Sequence, residues 1–189
     1  KKIRGGGTPL YILAWTTTPW TLPSNTALTV GPKIKYIIIE TFNQYTLNPI
    51  RVLLAKELIE KYFGGKYVPI MPTRSKLTLP EKNEKIPFCI EQEIIGEELE
   101  GIRYEQIWSE APLPLENPGN AFRVILGDFV TIEEGTGIVH TAPTFGADDA
   151  KVAKEASPEV PPLLVLPMSK NRFLKIMYTV GDQVAITVE

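Results

Sequence analysis

Short runs of apolar residues, separated by glycine and proline, dominate the chain and predict a protein built mainly of short strands. The runs are four to ten residues long, which suits strands better than helices. The predicted strands cover residues 10–16, 27–30, 36–40, 51–55, 86–95, 122–126, 129–132, 138–141 and 185–188.

Two segments have the pattern of a helix instead. Residues 56–63 place apolar side chains at helical spacing, and Gly64 and Gly65 follow as a stop signal. Residues 148–156 begin with two aspartates, where the helix dipole favours negative charge. Many short strands with few helices predict a mixed α/β fold whose core is a curled β-sheet or a β-barrel.

The composition narrows the classes of function. The chain has 189 residues, 43% of them hydrophobic, which is enough for one domain with a sizeable core. A formal net charge of -2 argues against a globally basic nucleic-acid binder. Cys89 and His140 are the only cysteine and histidine, so an internal disulfide and a Cys- or His-rich metal centre are excluded.

Residues 1–4, KKIR, lack both an initiator methionine and the apolar stretch of a signal peptide, and no apolar run is long enough to span a membrane. We therefore expect residues 1–189 to be a single domain, a fragment of a longer cytoplasmic protein, and monomeric when isolated.

The first segment with candidate chemistry is 14–25, AWTTTPWTLPSN. It puts three hydroxyls between two tryptophans at the end of a predicted strand. Threonine hydroxyls donate and accept hydrogen bonds without charge, so they suit a ribose, an ester carbonyl or a water. The alternative is that threonine simply favours strands.

The second segment lies over a hundred residues later, at 135–143, GTGIVHTAP, followed by GADD at 146–149. His140 follows a strand and could orient a substrate or transfer a proton, or it could be a buried structural histidine. One of Asp148 and Asp149 could cap the following helix, which would leave the other free to bind a cation. Gly135 and Gly137 suit a tight turn or a close backbone approach and do not form a phosphate-binding loop. The two segments together predict one polar site at the ends of two strands and the start of one helix.

Taken together, the two segments resemble the inserted editing domain of isoleucyl-tRNA synthetases. That family carries WTTTPWTLPxN, matched from Trp15 to Asn25, then GTGxVHxAP and GxDD, matched at 135–143 and 146–149. The related valyl and leucyl editing domains carry an arginine where this chain has Thr18. Many family members have a second histidine and an aromatic residue where this chain has Phe145 and Ala150. The chain after Ser157 matches no family pattern.

The resemblance implies hydrolysis of the ester between a wrong amino acid, chiefly valine, and isoleucine tRNA, with valyl-adenylate as a further candidate substrate. Removing one methylene from a ligand changes its binding free energy by only about 1–3 kcal/mol. The discrimination of isoleucine from valine is the standard example of this limit. A second, smaller site that excludes isoleucine supplies the missing selectivity.

The resemblance also implies roles for particular residues. Asp149 matches the anchor for the substrate's amino group. Trp20 and His140 are candidate pocket walls, and Asn25 is a candidate to hold the turn. The predicted catalytic residues are Thr16, Thr17, Thr18, His140 and Asp149. The predicted substrate-binding residues are Trp15, Trp20, Asn25, Thr136, Thr141 and Asp148.

Water would be the nucleophile, and neither a metal nor a cofactor is implied. The implied partners are isoleucine tRNA charged with valine, reached through its single-stranded 3′ end, and the rest of the synthetase chain. Three alternatives stay open at this point: a non-catalytic tRNA-binding or packing insert, a free-standing deacylase, and a sister editing domain that clears a different amino acid.

Overall fold

A computed structural model describes residue 3, residues 7–71, residues 77–165 and the backbone of residues 183–187. Nine strands form one mixed sheet within these ranges. Their bounds are β1 Leu10–Trp15, β2 Ala27–Val30, β3 Lys35–Phe42, β4 Pro49–Ala55, β5 Tyr67–Pro69, β6 Ile86–Ile95, β7 Arg123–Leu126, β8 Ile138–Thr141 and β9 Gln183–Thr187.

In the described part of the chain, two α-helices, α1 (Ile59–Phe63) and α2 (Ala147–Glu155), accompany the sheet. Four 3-10 helices supplement them, at Pro19–Ser24, Lys56–Leu58, Gly96–Leu99 and Pro118–Asn120. The first of these begins directly after the threonine row, where Pro19 suits the first helical position.

The strand order is β5-β6-β3-β4-β1-β8-β2-β7, and β9 pairs antiparallel with β1. Residues 101–104, which follow β6 along the chain, hydrogen-bond to β7 at the far end of this order. The sheet is therefore curled, and the predicted fold class of a mixed, curled sheet with few helices is confirmed.

The main core lies inside the curl, where alternate residues of β1 are buried: Leu10, Ile12 and Ala14. A second cluster covers the outer face beneath α1, centred on Phe63. A third cluster packs Val152 and Ala153 of α2 against the outer face near β2 and β7. Each helix thus buries its apolar side on the outside of the sheet.

Most predicted elements are present, with two differences. Residues 129–132 form no strand, because β7 ends at Leu126 and the chain turns at residues 128–129. Gly127 begins a turn there instead, and Val130 donates its N–H to the Gly127 carbonyl at 3.4 Å. The short strand β5 was not predicted, because it ends in a proline within a proline-rich stretch.

Tyr36 links the core to the segment that leads into β8. Its hydroxyl accepts the N–H of Gly31 at 2.9 Å and donates to the carbonyl of Gly137 at 2.6 Å. Burial of the ring and hydroxyl raises the pKa of Tyr36. This single hydroxyl therefore satisfies two backbone groups that have little access to water.

We expect Tyr36→Phe to lower the free energy of unfolding by about 1–3 kcal/mol, because it leaves a buried N–H and a buried carbonyl without a partner. Urea unfolding measures this change. Tyr45→Phe is the matched control, since Tyr45 is 69% exposed and should change stability by no more than about 0.5 kcal/mol. Equal stability of both variants would contradict the role given to the Tyr36 hydroxyl.

Candidate active site

Strand pairing brings the two sequence segments together. β1 and β8 are parallel neighbours, with Trp15 opposite Val139, so their carboxyl ends lie at the same edge of the sheet. The threonine row follows β1 at this edge, and the turn into α2 follows β8. The predicted arrangement, two strand ends and one helix start, is therefore the one observed. We call residues 16–21, His140 and 142–149 the threonine edge.

The threonine hydroxyls are held by each other. The hydroxyl of Thr16 accepts the N–H of Thr18 at 3.0 Å and lies 3.4 Å from the Thr18 hydroxyl. The Thr18 hydroxyl is in turn 3.2 Å from that of Thr21. Thr17 is exposed, and its hydroxyl makes no hydrogen bond within the described part of the chain. Of the three threonines, Thr17 therefore has the hydroxyl that is available to a ligand.

Thr21 connects this turn to His140. Its hydroxyl donates to the carbonyl of Thr18 at 2.8 Å and lies 3.0 Å from Nε2 of His140. Because the Thr21 proton is used on the carbonyl, Nε2 must be the donor to Thr21. Sequence reasoning gave Thr21 no role, although it lies within the 14–25 segment.

Asn25 fixes the other side of the imidazole. Its Nδ2 donates to the carbonyl of Ala27 at 2.7 Å and lies 2.9 Å from Nδ1 of His140. The carbonyls of Ala27 and Thr141 can only accept, which settles the orientation of the amide, and its Oδ1 accepts the hydroxyl of Tyr104 at 2.6 Å. Nδ1 of His140 is therefore an acceptor and carries no proton. Tyr104 was missed by sequence reasoning, since it is 79 residues from Asn25 and no local pattern marks it.

His140 is thus a neutral imidazole with both nitrogens engaged. It is only 5% exposed, and burial lowers its pKa to about 4. The hypothesis of a structural, buried histidine fits this geometry, with side chains as its partners instead of the backbone. An imidazole that already accepts at Nδ1 and donates at Nε2 has no free position for taking a proton from water.

The two aspartates have different surroundings. Oδ2 of Asp149 accepts the N–H of Ala142 at 2.8 Å, and neither aspartate caps α2, so the predicted capping role is wrong. The carboxylate of Asp149 faces the turn after β8, so it accepts the N–H of Ala142 and not an N–H of the first turn of α2. Asp148 is exposed and lines a separate cavity between β7 and α2, together with Asp128 and Glu155.

Asp149 keeps one oxygen uncommitted. Its Oδ1 makes no hydrogen bond within the described residues, and the side chain is partly buried. Burial raises its pKa, the Ala142 N–H lowers it, and nearby Asp148 raises it, with burial the largest of these effects. A partly desolvated carboxylate with a free oxygen is suited to bind a cation.

Gly135 and Gly137 permit close backbone approaches, as predicted. Both have positive φ angles, 69° and 75°. A Cβ on Gly135 would come within 3.0 Å of Trp15, and one on Gly137 within 2.5 Å of the Ala55 side chain. The side chain of Trp15 therefore packs against the loop before β8, directly before the threonine row.

The remaining predicted residues are spread over three places. Trp20 is 58% exposed beside the threonine row. Thr141 is fully buried on the face under α2, where its hydroxyl lies 2.6 Å from that of Thr29. Thr136 is also fully buried, near the start of β8, and donates to the Ile138 carbonyl at 3.3 Å. The structure does not bring the hydroxyls of Thr136 and Thr141 to the threonine edge.

Comparison with known proteins decides the family. The chain is 55% identical over 159 residues to isoleucine–tRNA ligase of Bacteroides fragilis, a match that covers 83% of this chain and 13% of that protein. It is 51% identical over 160 residues to the Porphyromonas gingivalis enzyme of the same name, covering 82% and 13%. It is 40% identical over 153 residues to isoleucine–tRNA ligase of Picrophilus torridus, covering 79% of this chain and 12% of that protein.

The chain belongs to the isoleucyl-tRNA synthetase family. It spans about an eighth of the length of these curated relatives. No protein-family model matches it.

Solved structures share the fold of the chain. The Plasmodium falciparum cytosolic leucyl-tRNA synthetase editing domain superposes with a TM-score of 0.52 at 13% identity, covering 77% of this chain and 46% of that one. The P. knowlesi editing domain gives 0.52 at 18% identity, covering 79% and 52%. The predicted membership of the isoleucyl-tRNA synthetase family is therefore confirmed, and the fold of the chain is the one found in these editing domains.

We expect the imidazole of His140 to stay neutral, with its proton on Nε2, at every pH above about 5. As the only histidine of the chain, it gives a single pair of ring ¹⁵N signals, so NMR reads the tautomer and the titration directly. A ring that titrates near its ordinary pKa of 6.5, or that carries its proton on Nδ1, would contradict the assigned network.

The lowered pKa of His140 also determines whether the folded state gains or loses stability as pH falls. A depressed pKa in the folded state means that the unfolded chain binds the proton more tightly. The contribution of His140 is therefore complete above pH 6.5 and is lost as pH falls toward about 4, by on the order of 3 kcal/mol. His140→Gln should remove this part of the pH dependence.

Proposed function

We propose that this domain hydrolyses valyl-tRNA(Ile) at the threonine edge, as the second sieve of its synthetase. The observation that carries the proposal is the partly buried carboxylate of Asp149, anchored on Ala142 with one oxygen free, at the same sheet edge as the exposed hydroxyl of Thr17. An aminoacyl ester presents an ammonium group next to its reacting carbonyl, and this edge offers an anion next to hydroxyls.

Each group has a role that follows from its surroundings. Asp149 binds the α-ammonium, and the positive charge offsets the desolvation that raises the carboxylate's pKa. Thr17 is available to the terminal ribose or the attacking water, while Thr16 and Thr18 use their hydroxyls to hold the turn. His140 acts through Thr21 and is therefore a positioning residue for that turn.

In the reaction, water adds to the ester carbonyl, the bond from the carbonyl carbon to the ribose oxygen breaks, and that oxygen takes up a proton. The products are valine and uncharged tRNA. Because the ester is already activated, positioning and polarisation by fixed dipoles can supply much of the acceleration. No step is assigned to a metal or a cofactor, and valyl-adenylate is a second substrate to test.

The partners follow from the same proposal. The 3′ end of the tRNA reaches the edge as a single strand, and the rest of the synthetase supplies the main tRNA contacts. Phosphate contacts of this kind weaken as the salt concentration rises.

A cytoplasmic location is part of the proposal. Within the described residues, no helix is both long and apolar enough to cross a membrane.

We expect the domain within its synthetase to remove valine from tRNA(Ile) at least ten times faster than isoleucine, because one extra methyl group is excluded by size. The measurement is release of labelled amino acid from the two charged tRNAs, by the 189-residue chain and by the synthetase that contains it. Equal loss of both amino acids would overturn the size sieve. No loss in either protein would support a non-catalytic insert, and faster loss of another amino acid would support a sister specificity.

We expect Asp149→Asn to slow valine removal by at least about a hundredfold, because it neutralises the proposed ammonium anchor. Asp148→Asn is the matched comparison: it makes the same chemical change one residue earlier, at an exposed carboxylate that lines the cavity between β7 and α2. It should keep most of the activity. Normal rates for Asp149→Asn would exclude the anchor, and an equal loss in both variants would assign Asp148 to the site as well.

A further inference from the structure

A cavity of about 550 Å³ lies on the outer face of the sheet, away from the threonine edge. Its floor is formed by the first half of β1 and by β3 and β4, and its walls by α1, the residues after α1 and the loop 43–48. Tyr11 and Leu13 line it, and they lie on the same face of β1 as Trp15. From Leu13, the lining residue of β1 nearer to that edge, to Thr17 the chain rises by roughly 13 Å, so the two sites are separate.

The lining combines aromatic rings with positive charge. Tyr11, Tyr62 and Tyr67 contribute rings, and Lys61 and Lys66 contribute ammonium groups. None of the lining residues within the described part of the chain is acidic, although the full sequence has more acidic than basic residues, 22 against 20. A cavity with this charge balance favours an anionic ligand.

The walls of the cavity are internally braced. Oδ1 of Asn43 accepts the N–H groups of Tyr45 and Thr46 at 2.9 and 3.0 Å, which fixes the loop between β3 and β4. The Tyr62 hydroxyl donates to the Gly135 carbonyl at 2.5 Å, and Lys66 reaches Oε1 of Gln44 at 3.4 Å across the opening. The cavity is therefore formed before any ligand binds.

Rings for stacking, amides for hydrogen bonds and ammonium groups for phosphate are together the recognition chemistry of a nucleotide. A volume of about 550 Å³ is in the range of small-molecule sites, about 300–1,000 Å³. We propose that this cavity binds one nucleotide, with its base against the tyrosines and its phosphate at Lys61 and Lys66. The proposal is independent of ester hydrolysis at the threonine edge.

The nucleotide could be free or part of an RNA strand, and both sources present the same base and phosphate. The experiment titrates the ¹⁵N-labelled 189-residue chain with AMP, with adenosine and with a single-stranded RNA trinucleotide, and follows backbone amide shifts. We expect saturable binding with a Kd below about 1 mM for AMP or for the trinucleotide, at amides of loop 43–48 and α1. The tighter of the two ligands identifies the source. Adenosine should bind several-fold more weakly than AMP, because it lacks the phosphate.

Two variants and a control locate the site. Lys61→Gln with Lys66→Gln should weaken AMP binding about tenfold and reduce its salt dependence. Tyr11→Ala should weaken it about tenfold by removing a stacking surface. Lys154→Gln removes one positive charge from α2, outside this cavity, and should leave Kd unchanged. Circular dichroism checks that each variant is folded.

Four results would overturn the proposal. These are no saturation with AMP or the trinucleotide, shifts confined to other surfaces, unchanged binding in the folded lysine variant, and equal binding of an uncharged aromatic probe such as indole. The last would show that the cavity is a plain apolar groove. Since the readout is binding alone, failure here would leave the deacylation results unaffected.

Discussion

A buried chain of hydrogen bonds holds the threonine edge in place. It runs from Tyr104 through Asn25 and His140 to Thr21, and from there to the threonine turn. Every link has a donor and an acceptor, which is the condition for burying polar groups without a large cost. Loss of one member leaves its neighbours unsatisfied in a region with little water, at about 1–3 kcal/mol for each group.

This network of hydrogen bonds gives His140 a positioning role and leaves its ring no free nitrogen for moving a proton. Asn25 donates to Nδ1 of His140, so the ring must carry its proton on Nε2 and direct it at Thr21. The low pKa follows from burial and keeps the ring neutral. Because the ring of His140 is neutral, its Nε2–H donates to Thr21 and so sets the hydrogen-bond directions in the threonine turn. The buried network therefore holds the threonine turn rigid.

The sheet has two separate roles. Parallel pairing of β1 with β8 brings together two segments that are more than a hundred residues apart, and so creates the threonine edge. The opposite end of β1 forms the floor of the cavity beside α1. That cavity is lined by aromatic rings and lysines, whereas the threonine edge carries hydroxyls and a carboxylate. Both surfaces lie outside the curled core. The core can therefore stay dry and fixed while the two surfaces meet different chemical groups.

The sequence by itself determined the strand-rich architecture, the family and the pairing of two polar segments, because these depend on local periodicity and on long, ordered motifs. It also placed Asp149 and the threonine row at one site, and the close approaches at Gly135 and Gly137. Local pattern is sufficient for the strands and the glycine turns, since these depend on residues adjacent in the chain. Asp149 and the threonine row are far apart in the chain, and their common site was predicted from the resemblance of the two motifs to one family.

Only the tertiary structure decided which polar groups already have hydrogen-bond partners within the fold. Asp149 binds the Ala142 amide and does not cap its helix, and Thr141 turns its hydroxyl to Thr29 on the other face of the sheet. Thr21 and Tyr104 became part of the site only through contacts with His140 and Asn25. The directions of hydrogen bonds, the protonation of His140 and the free oxygen of Asp149 depend on packing between distant segments, and packing of that kind leaves no pattern in neighbouring residues.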